Sequence, residues 1–248
     1  LKAPFFTVKV ASISELNDCT RLIEFENYIN ASPGQFVMAW LPGIGEKPYS
    51  IATMAPFSLL VVDVGPFSHA LHILKKGDPL WVKGPLGHGF IPEGRKLLMA
   101  AGGYGAAPLF PLAVHARTQD CEVHVCLGAR SADGIMLAGS FERIGCTTSI
   151  ATEDSSGGTQ GLVTDLIDAA IGNSIFDTLY ACGPVGMLSA LACTCKTKQL
   201  NYQFSWEANM RCGMGLCGSC EVPVTLDPSL PQGWLACYDG PVFVKRWN

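Results

Sequence analysis

The stretch from Met210 to Val222 reads Met-Arg-Cys-Gly-Met-Gly-Leu-Cys-Gly-Ser-Cys-Glu-Val, and it constrains the chain more than any other. Cysteines stand at Cys212, Cys217 and Cys220, and Cys237 follows after sixteen intervening residues, so the pattern is C-x4-C-x2-C-x16-C. Three thiolates this close, with Gly213, Gly215 and Gly218 between them, suit a loop wrapped around an inorganic core. Glycine lets backbone amides approach sulfur where a Cβ would block them. The first three spacings match the plant-type two-iron, two-sulfur (2Fe-2S) ligation pattern, while the fourth ligand follows sooner than that pattern has it. Zinc also accepts four thiolates, but its structural sites usually come as two separated C-x2-C knuckles. Eleven cysteines, an odd number, are too sparse in 248 residues for a disulfide-built scaffold.

A formal net charge of −4 and a low charged fraction give no electrostatic reason to expect nucleic acid or an anionic membrane as partner. With 48% apolar residues and a mean hydropathy of +0.27, some apolar surface is expected to be covered by a partner subunit. The uncharged run Leu97 to Val114 is long enough to suggest a membrane span. Its Gly102, Gly103, Gly105, Pro108 and Pro111 fit a strand, a glycine turn and a helix start better, so no membrane helix is predicted. The other cysteines lie mostly in apolar stretches and no secretory leader pattern precedes them, so a reducing, cytoplasmic setting is expected.

Residues 1–92 read as an antiparallel β barrel, with short strand-like runs separated by Gly and Pro. Strands are predicted at Phe5 to Ile13, Thr20 to Glu26, Gln35 to Leu41, Ser58 to Val64 and Pro79 to Lys83, with one helix from Ser68 to Lys76. Within this block Lys47-Pro48-Tyr49-Ser50 places a cation, a flat ring and a hydroxyl in four residues. A flavin dinucleotide needs a charge for its pyrophosphate, a face for its ring and a hydrogen-bonding group near its reactive nitrogen. Gly65 and Ser68 open the short helix, where free amides favour a phosphate, or else form an ordinary cap.

From Glu93 the texture changes to alternating strands and helices, the signature of a parallel α/β sheet, and residues 93–200 are assigned to it. Strand Lys96 to Ala101 runs into Gly102-Gly103-Tyr104-Gly105-Ala106-Ala107-Pro108 and a helix to about Arg117, a dinucleotide turn with Pro108 in place of the third glycine. Further strands are predicted at Glu122 to Leu127, Thr147 to Ala151 and Thr178 to Cys182, and helices at Gly161 to Ile171 and Pro184 to Lys198. Ligands bind beyond the carboxyl ends of such strands. Glu153 and Asp154 there can accept ribose hydroxyls, and Arg130 with Ser131 can meet a 2′-phosphate, so NAD(H) and NADP(H) both stay open. Residues 201–248 form the expected small cluster domain.

Lys47 to Ser50, the Gly102 to Pro108 turn, Cys182-Gly183-Pro184 and the cysteine loop, in that order, resemble the ferredoxin-NADP reductase superfamily. The cysteine module, Gly84 to Phe90 and Thr152-Glu153-Asp154 leading to Gly161 to Asp165 are similar to the electron-transfer subunits of heterotetrameric, NAD-linked dihydroorotate dehydrogenase. That resemblance implies an N-terminal FAD barrel, a central NAD module, a C-terminal 2Fe-2S domain and an FMN-bearing catalytic subunit as partner. Carried over by motif, Lys47, Tyr49, Ser50, Gly65 and Ser68 would hold FAD, and Gly103, Gly105 and Cys182 would lie along the nicotinamide dinucleotide, with Ser50 and Cys182 at the reacting atoms. Lys47 stands where the family carries arginine, which keeps the charge and loses the two-pronged fork. The same architecture also serves hydrogenases, sulfide dehydrogenases and NADH-dependent ferredoxin:NADP oxidoreductases, and a zinc-stabilised binding module is the non-enzymatic alternative.

Overall fold

A computed structural model describes residues 5–247, so residues 1–4 and 248 of the expected spans lie outside the described residues. The N-terminal half closes into a six-stranded barrel of β1 (Phe5–Asn17), β2 (Thr20–Phe25), β3 (Phe36–Leu41), β4 (Gly45–Met54), β5 (Phe57–Val62) and β6 (Pro79–Leu86), in the order β1-β2-β5-β4-β3-β6. All its pairings are antiparallel, and alternate residues point inward, so Val8, Val10, Ile23, Phe25, Val37, Phe57, Leu59, Leu80 and Val82 are completely buried. Closure removes the exposed strand edges that an open sheet of this composition would present. The predicted strands fall on five of the six; Lys47 to Ser50 lies within β4. Helix α1 (Pro66–His72) is shorter than predicted, because Lys75 to Asp78 close a turn in which the Asp78 carboxylate accepts the Lys75 amide at 2.8 Å.

The second half is a seven-stranded sheet built from β7 (Lys96–Gly102), α2 (Ala106–Thr118), β8 (Glu122–Ala129), α3 (Ala138–Arg143), β9 (Thr147–Thr152), β10 (Thr159–Gln160), α4 (Val163–Asn173), β11 (Thr178–Cys182), α5 (Val185–Lys198), β12 (Asn201–Ser205) and β13 (Val242–Lys245). Its order is β10-β9-β8-β7-β11-β12-β13, parallel except for the last pair. Leu97, Leu98, Met99, Ala100 and Ala101 are all buried, because α2 covers one face of the sheet and α4 and α5 the other. The uncharged run 97–114 is therefore a strand, a 3-10 turn and a helix, and among the described residues no helix is long and apolar enough to cross a membrane.

Among the strands not predicted from the sequence, β12 and β13 matter for where the cysteine loop sits. β12 pairs with β11 and β13 pairs back on β12, so a division at residue 200 runs between hydrogen-bonded neighbours of one sheet. Between them, residues 206–241 pack Trp206, Met210, Val222, Leu230 and Trp234 into a core shared with Phe36 and Met38 of the barrel and Leu179 of the sheet. The Gly84 to Phe90 loop pins this segment: the His88 amide donates to the Gly240 carbonyl at 2.6 Å. Within the segment, Asp227 is 1% exposed and accepts the Tyr202 hydroxyl at 2.6 Å and the Ser229 amide at 2.9 Å. Asp227→Ala strands both donors and is expected to cost about 2–3 kcal/mol. Thermal melting should register this as a fall of roughly 2–4 °C per kcal/mol for a chain of this size.

Candidate functional site

The order of the sheet places its switch point at β7, where β8 lies on one side and β11 on the other. At the carboxyl ends of these strands the backbone runs unusually close. A Cβ at Gly105 would lie 2.1 Å from the Cys182 carbonyl oxygen, and one at Gly102 would lie 2.5 Å from Pro184. Beside this corner opens a cleft of about 340 Å³, to which β4 contributes Pro48, Tyr49 and Ser50, the β7–α2 turn Tyr104 and Gly105, and β11 Cys182. The structure thus gathers in one cavity residues that the sequence offered in three separate motifs.

Tyr49 stacks on Phe67 at 6.2 Å between ring centres, and burial, with Asp63 nearby, pushes its hydroxyl up to about 12. It is a neutral flat wall. The Cys182 thiol is pushed up to about 12 by burial and by the carboxylate of Glu207, so it too stays protonated and uncharged. Ser205, Trp206 and Glu207, from the end of β12, complete the cleft and were not singled out in the sequence. Glu207 accepts the Tyr104 hydroxyl at 3.3 Å across 103 residues of sequence, and burial raises its carboxyl above the usual range despite that bond. The available signal was a lone carboxylate directly after the alternating aromatic-polar run Tyr202 to Trp206 and ahead of the cysteine loop.

A raised carboxyl penalises folding once it ionises. Below the ordinary carboxylate pKa both folded and unfolded chains hold the proton and nothing is lost; as pH rises through the raised folded value the penalty is complete. Glu207→Gln is therefore expected to melt higher than the parent at neutral pH and at the same temperature as the parent in acid, a difference that melting curves across pH will read.

Other predicted positions lie elsewhere. Lys47 is exposed on β4 and does not line the cleft. Ser68 is buried, and its hydroxyl accepts the Val64 and Gly65 amides at 2.9 and 3.0 Å, the arrangement of an ordinary cap. Glu153 and Asp154 are exposed on the loop after β9, where Asp154 accepts the Ser156 amide at 2.9 Å. Gly103 and Ser131 line a second, more polar cleft of about 600 Å³ between the barrel and the sheet's carboxyl edge, closed by Asn17 donating to the Asp133 carbonyl at 2.6 Å. Gly183 contacts Gly102 at the switch point.

The four cysteines neighbour one another in the folded loop, Cys212 near Cys217 and Cys220 near Cys237. Among the described residues no three His, Cys, Asp or Glu side chains converge as a single metal ion requires. Four cysteines in this spacing are a donor set that would give a two-iron cluster two thiolates to each iron. The Gly215 amide donates to Cys237 Sγ at 3.2 Å, as expected of a glycine in such a loop, and the Cys237 amide lies 3.5 Å from Cys220 Sγ. Gly213 is required by packing as well: with φ at +67°, its Cβ would sit 2.8 Å from Met38 of the barrel. The Ser219 hydroxyl and amide hold the exposed Cys217 thiol down at about 6, whereas burial pushes Cys237 up to about 12.

A family model described as the iron-sulfur cluster binding domain of dihydroorotate dehydrogenase B matches residues 207–246. The chain is 40% identical over 238 residues to a probable dihydroorotate dehydrogenase B (NAD(+)), electron transfer subunit, of Thermococcus kodakarensis, covering 95% of each chain. The chain belongs to that family. A second such electron transfer subunit, of Methanocaldococcus jannaschii, is 34% identical over 95% of this chain and 88% of its own. Among solved structures, that of an NADH-dependent reduced ferredoxin-NADP oxidoreductase superposes with a TM-score of 0.84 at 28% identity, over 96% of this chain and 87% of the other. A nitrate reductase cytochrome b5 reductase domain from Ulva prolifera shares the fold at a TM-score of 0.63. In this member of the family the matched residues 207–246 take in the segment between β12 and β13 together with β13 itself.

Proposed function

We propose that this chain carries electrons between NAD(H) and the catalytic subunit of a dihydroorotate dehydrogenase, by way of FAD and a 2Fe-2S cluster. The partner, expected to bear FMN, holds the dihydroorotate site. The observation that carries the reading is that the four-cysteine loop packs on a barrel wall whose strands also line the cleft of Tyr49, Ser50 and Cys182. Bound FAD supplies the conversion between an electron pair from nicotinamide and the single electrons that an iron-sulfur cluster accepts.

The chain's own residues do the rest. Tyr49 offers a flat face, and Ser50 a hydroxyl able to donate to a ring nitrogen. Cys182, held protonated, brings no charge of its own to the reacting atoms, and Tyr104 donates to Glu207 at the edge of the cleft. Cys212, Cys217, Cys220 and Cys237 ligate the cluster in this reading. The free thiols buried at Cys121, Cys126, Cys146 and Cys195 support a reducing, cytoplasmic setting.

The relatives at 34–40% identity carry the dihydroorotate dehydrogenase name, and the ferredoxin-NADP oxidoreductase likeness is weaker at 28%, so the former partner is preferred. Reconstitution with the catalytic subunit should give NADH-dependent reduction of orotate that neither chain performs alone, and flavin extracted from this chain should run as FAD. Extracted flavin running as FMN, or a colourless chain, would overturn the reading.

A further inference from the structure

Lys83 is a buried cation with no part in the chemistry described so far. It sits on β6, opposite Phe5 of β1 and Met38 of β3, and its side chain is 6% exposed. Its ammonium lies 2.9 Å from Glu46 Oε1, donates to the Cys212 carbonyl at 3.1 Å and rests over the Phe5 ring at 5.4 Å. Glu46 Oε1 is buried and, although within ion-pair reach, lies off the axis of a hydrogen bond.

Stability alone is a weak reason for such a pair, since the cost of desolvating two charges usually offsets their attraction, and apolar replacements are often neutral or better. The pair is also asymmetric. The cation is the deeper member and touches the backbone of a loop cysteine, whereas the carboxylate turns toward the shallow aromatic hollow of Phe5, Trp40 and Trp81. Both charges stand on barrel strands, and Gly213 abuts Met38 on the neighbouring strand, so the cysteine loop is held against this charged wall.

We infer that Lys83 is a positioning residue that sets the reduction potential of the cluster, with Glu46 moderating it. The inference rests on the reading of the four cysteines as its ligands. Reduction adds one electron, drawn from the flavin in turnover or from dithionite in a titration, and no bond to Lys83 forms or breaks. A fixed cation in a low-dielectric wall favours the form with the added negative charge, and a fixed anion opposes it.

The opposed signs make the test. Anaerobic redox titration of the full flavin- and cluster-loaded chain, read by electron paramagnetic resonance, should find Lys83→Met reduced about tenfold less at a given poise, about 59 mV more negative. Glu46→Gln should move the potential the other way, and Lys83→Arg, which keeps the charge, should leave it within about threefold of the parent. A merely structural tie predicts shifts of the same sign in Lys83→Met and Glu46→Gln, or none, and either result in iron-loaded variants overturns the inference alone. Should Lys83→Met fail to assemble, Glu46→Gln decides, and an unmoved or lowered potential sinks the idea. A parent protein without iron and labile sulfide overturns instead the cluster reading beneath it.

Discussion

Cys217→Ser protein is expected to hold under roughly a tenth of the parent's iron and labile sulfide, yet to be reduced by NADH at the parent's rate. Cys217 lies exposed on the loop near Cys212, 3.1 Å from the Ser219 hydroxyl that helps hold its thiol low. Serine offers a harder, far less acidic donor in the same place, so an iron held by Cys212 and Cys217 would lose one of its two protein thiolates. The cleft of Tyr49, Ser50 and Cys182 does not include this residue, so the nicotinamide half-reaction should survive intact. Electron delivery to the catalytic subunit, in contrast, should fall more than a hundredfold. Iron analysis, ferricyanide reduction and the coupled orotate assay separate the three quantities, and full iron content in the variant would refute the ligand assignment.

Gly105→Ala should produce the reverse pattern, with a loaded cluster but a crippled nicotinamide reaction. The added Cβ meets the Cys182 carbonyl oxygen at 2.1 Å, its carbon at 2.5 Å and the Gly183 amide at 2.9 Å, all backbone atoms with no rotamer to yield. The turn after β7 must therefore move away from the end of β11. Overpacking of this kind costs about 1–3 kcal/mol of stability. A displacement near 1 Å at a positioning element can cost on the order of a hundredfold in rate. Gly103→Ala is the control: no atom stands within 4 Å of its Cβ, so at φ +53° it meets only local backbone strain. Flavin reduction by NADH followed in a stopped-flow mixer should slow sharply in the first variant and mildly in the second; equal rates would remove the nicotinamide from this corner.

The parts of the fold that could be read from the sequence are those whose cause is local. Barrel strands announce themselves by alternation, β7 and β11 by unbroken apolar runs, and the cysteine loop by spacing alone. Strands β12 and β13 were missed because one is five residues of mixed polarity and the other only four, and each is defined by its pairing across the segment between them. Glu207 and Lys83 were missed for a related reason. Their significance comes from burial and from partners 103 and 129 residues away, Tyr104 and Cys212, and no local pattern encodes either. Ser68 shows the opposite case, a residue with two local readings whose hydroxyl the fold spends on the Val64 and Gly65 amides.

Ser205 and Val242 face each other in the β12–β13 register, so the whole stretch between them is, topologically, the overgrown tip of a hairpin. Splicing such a tip in or out needs no re-threading of the sheet, and both ends stay clamped to the same edge however the interior changes. An ancestral two-electron reductase can thus acquire, or shed, its one-electron outlet in a single insertion or deletion.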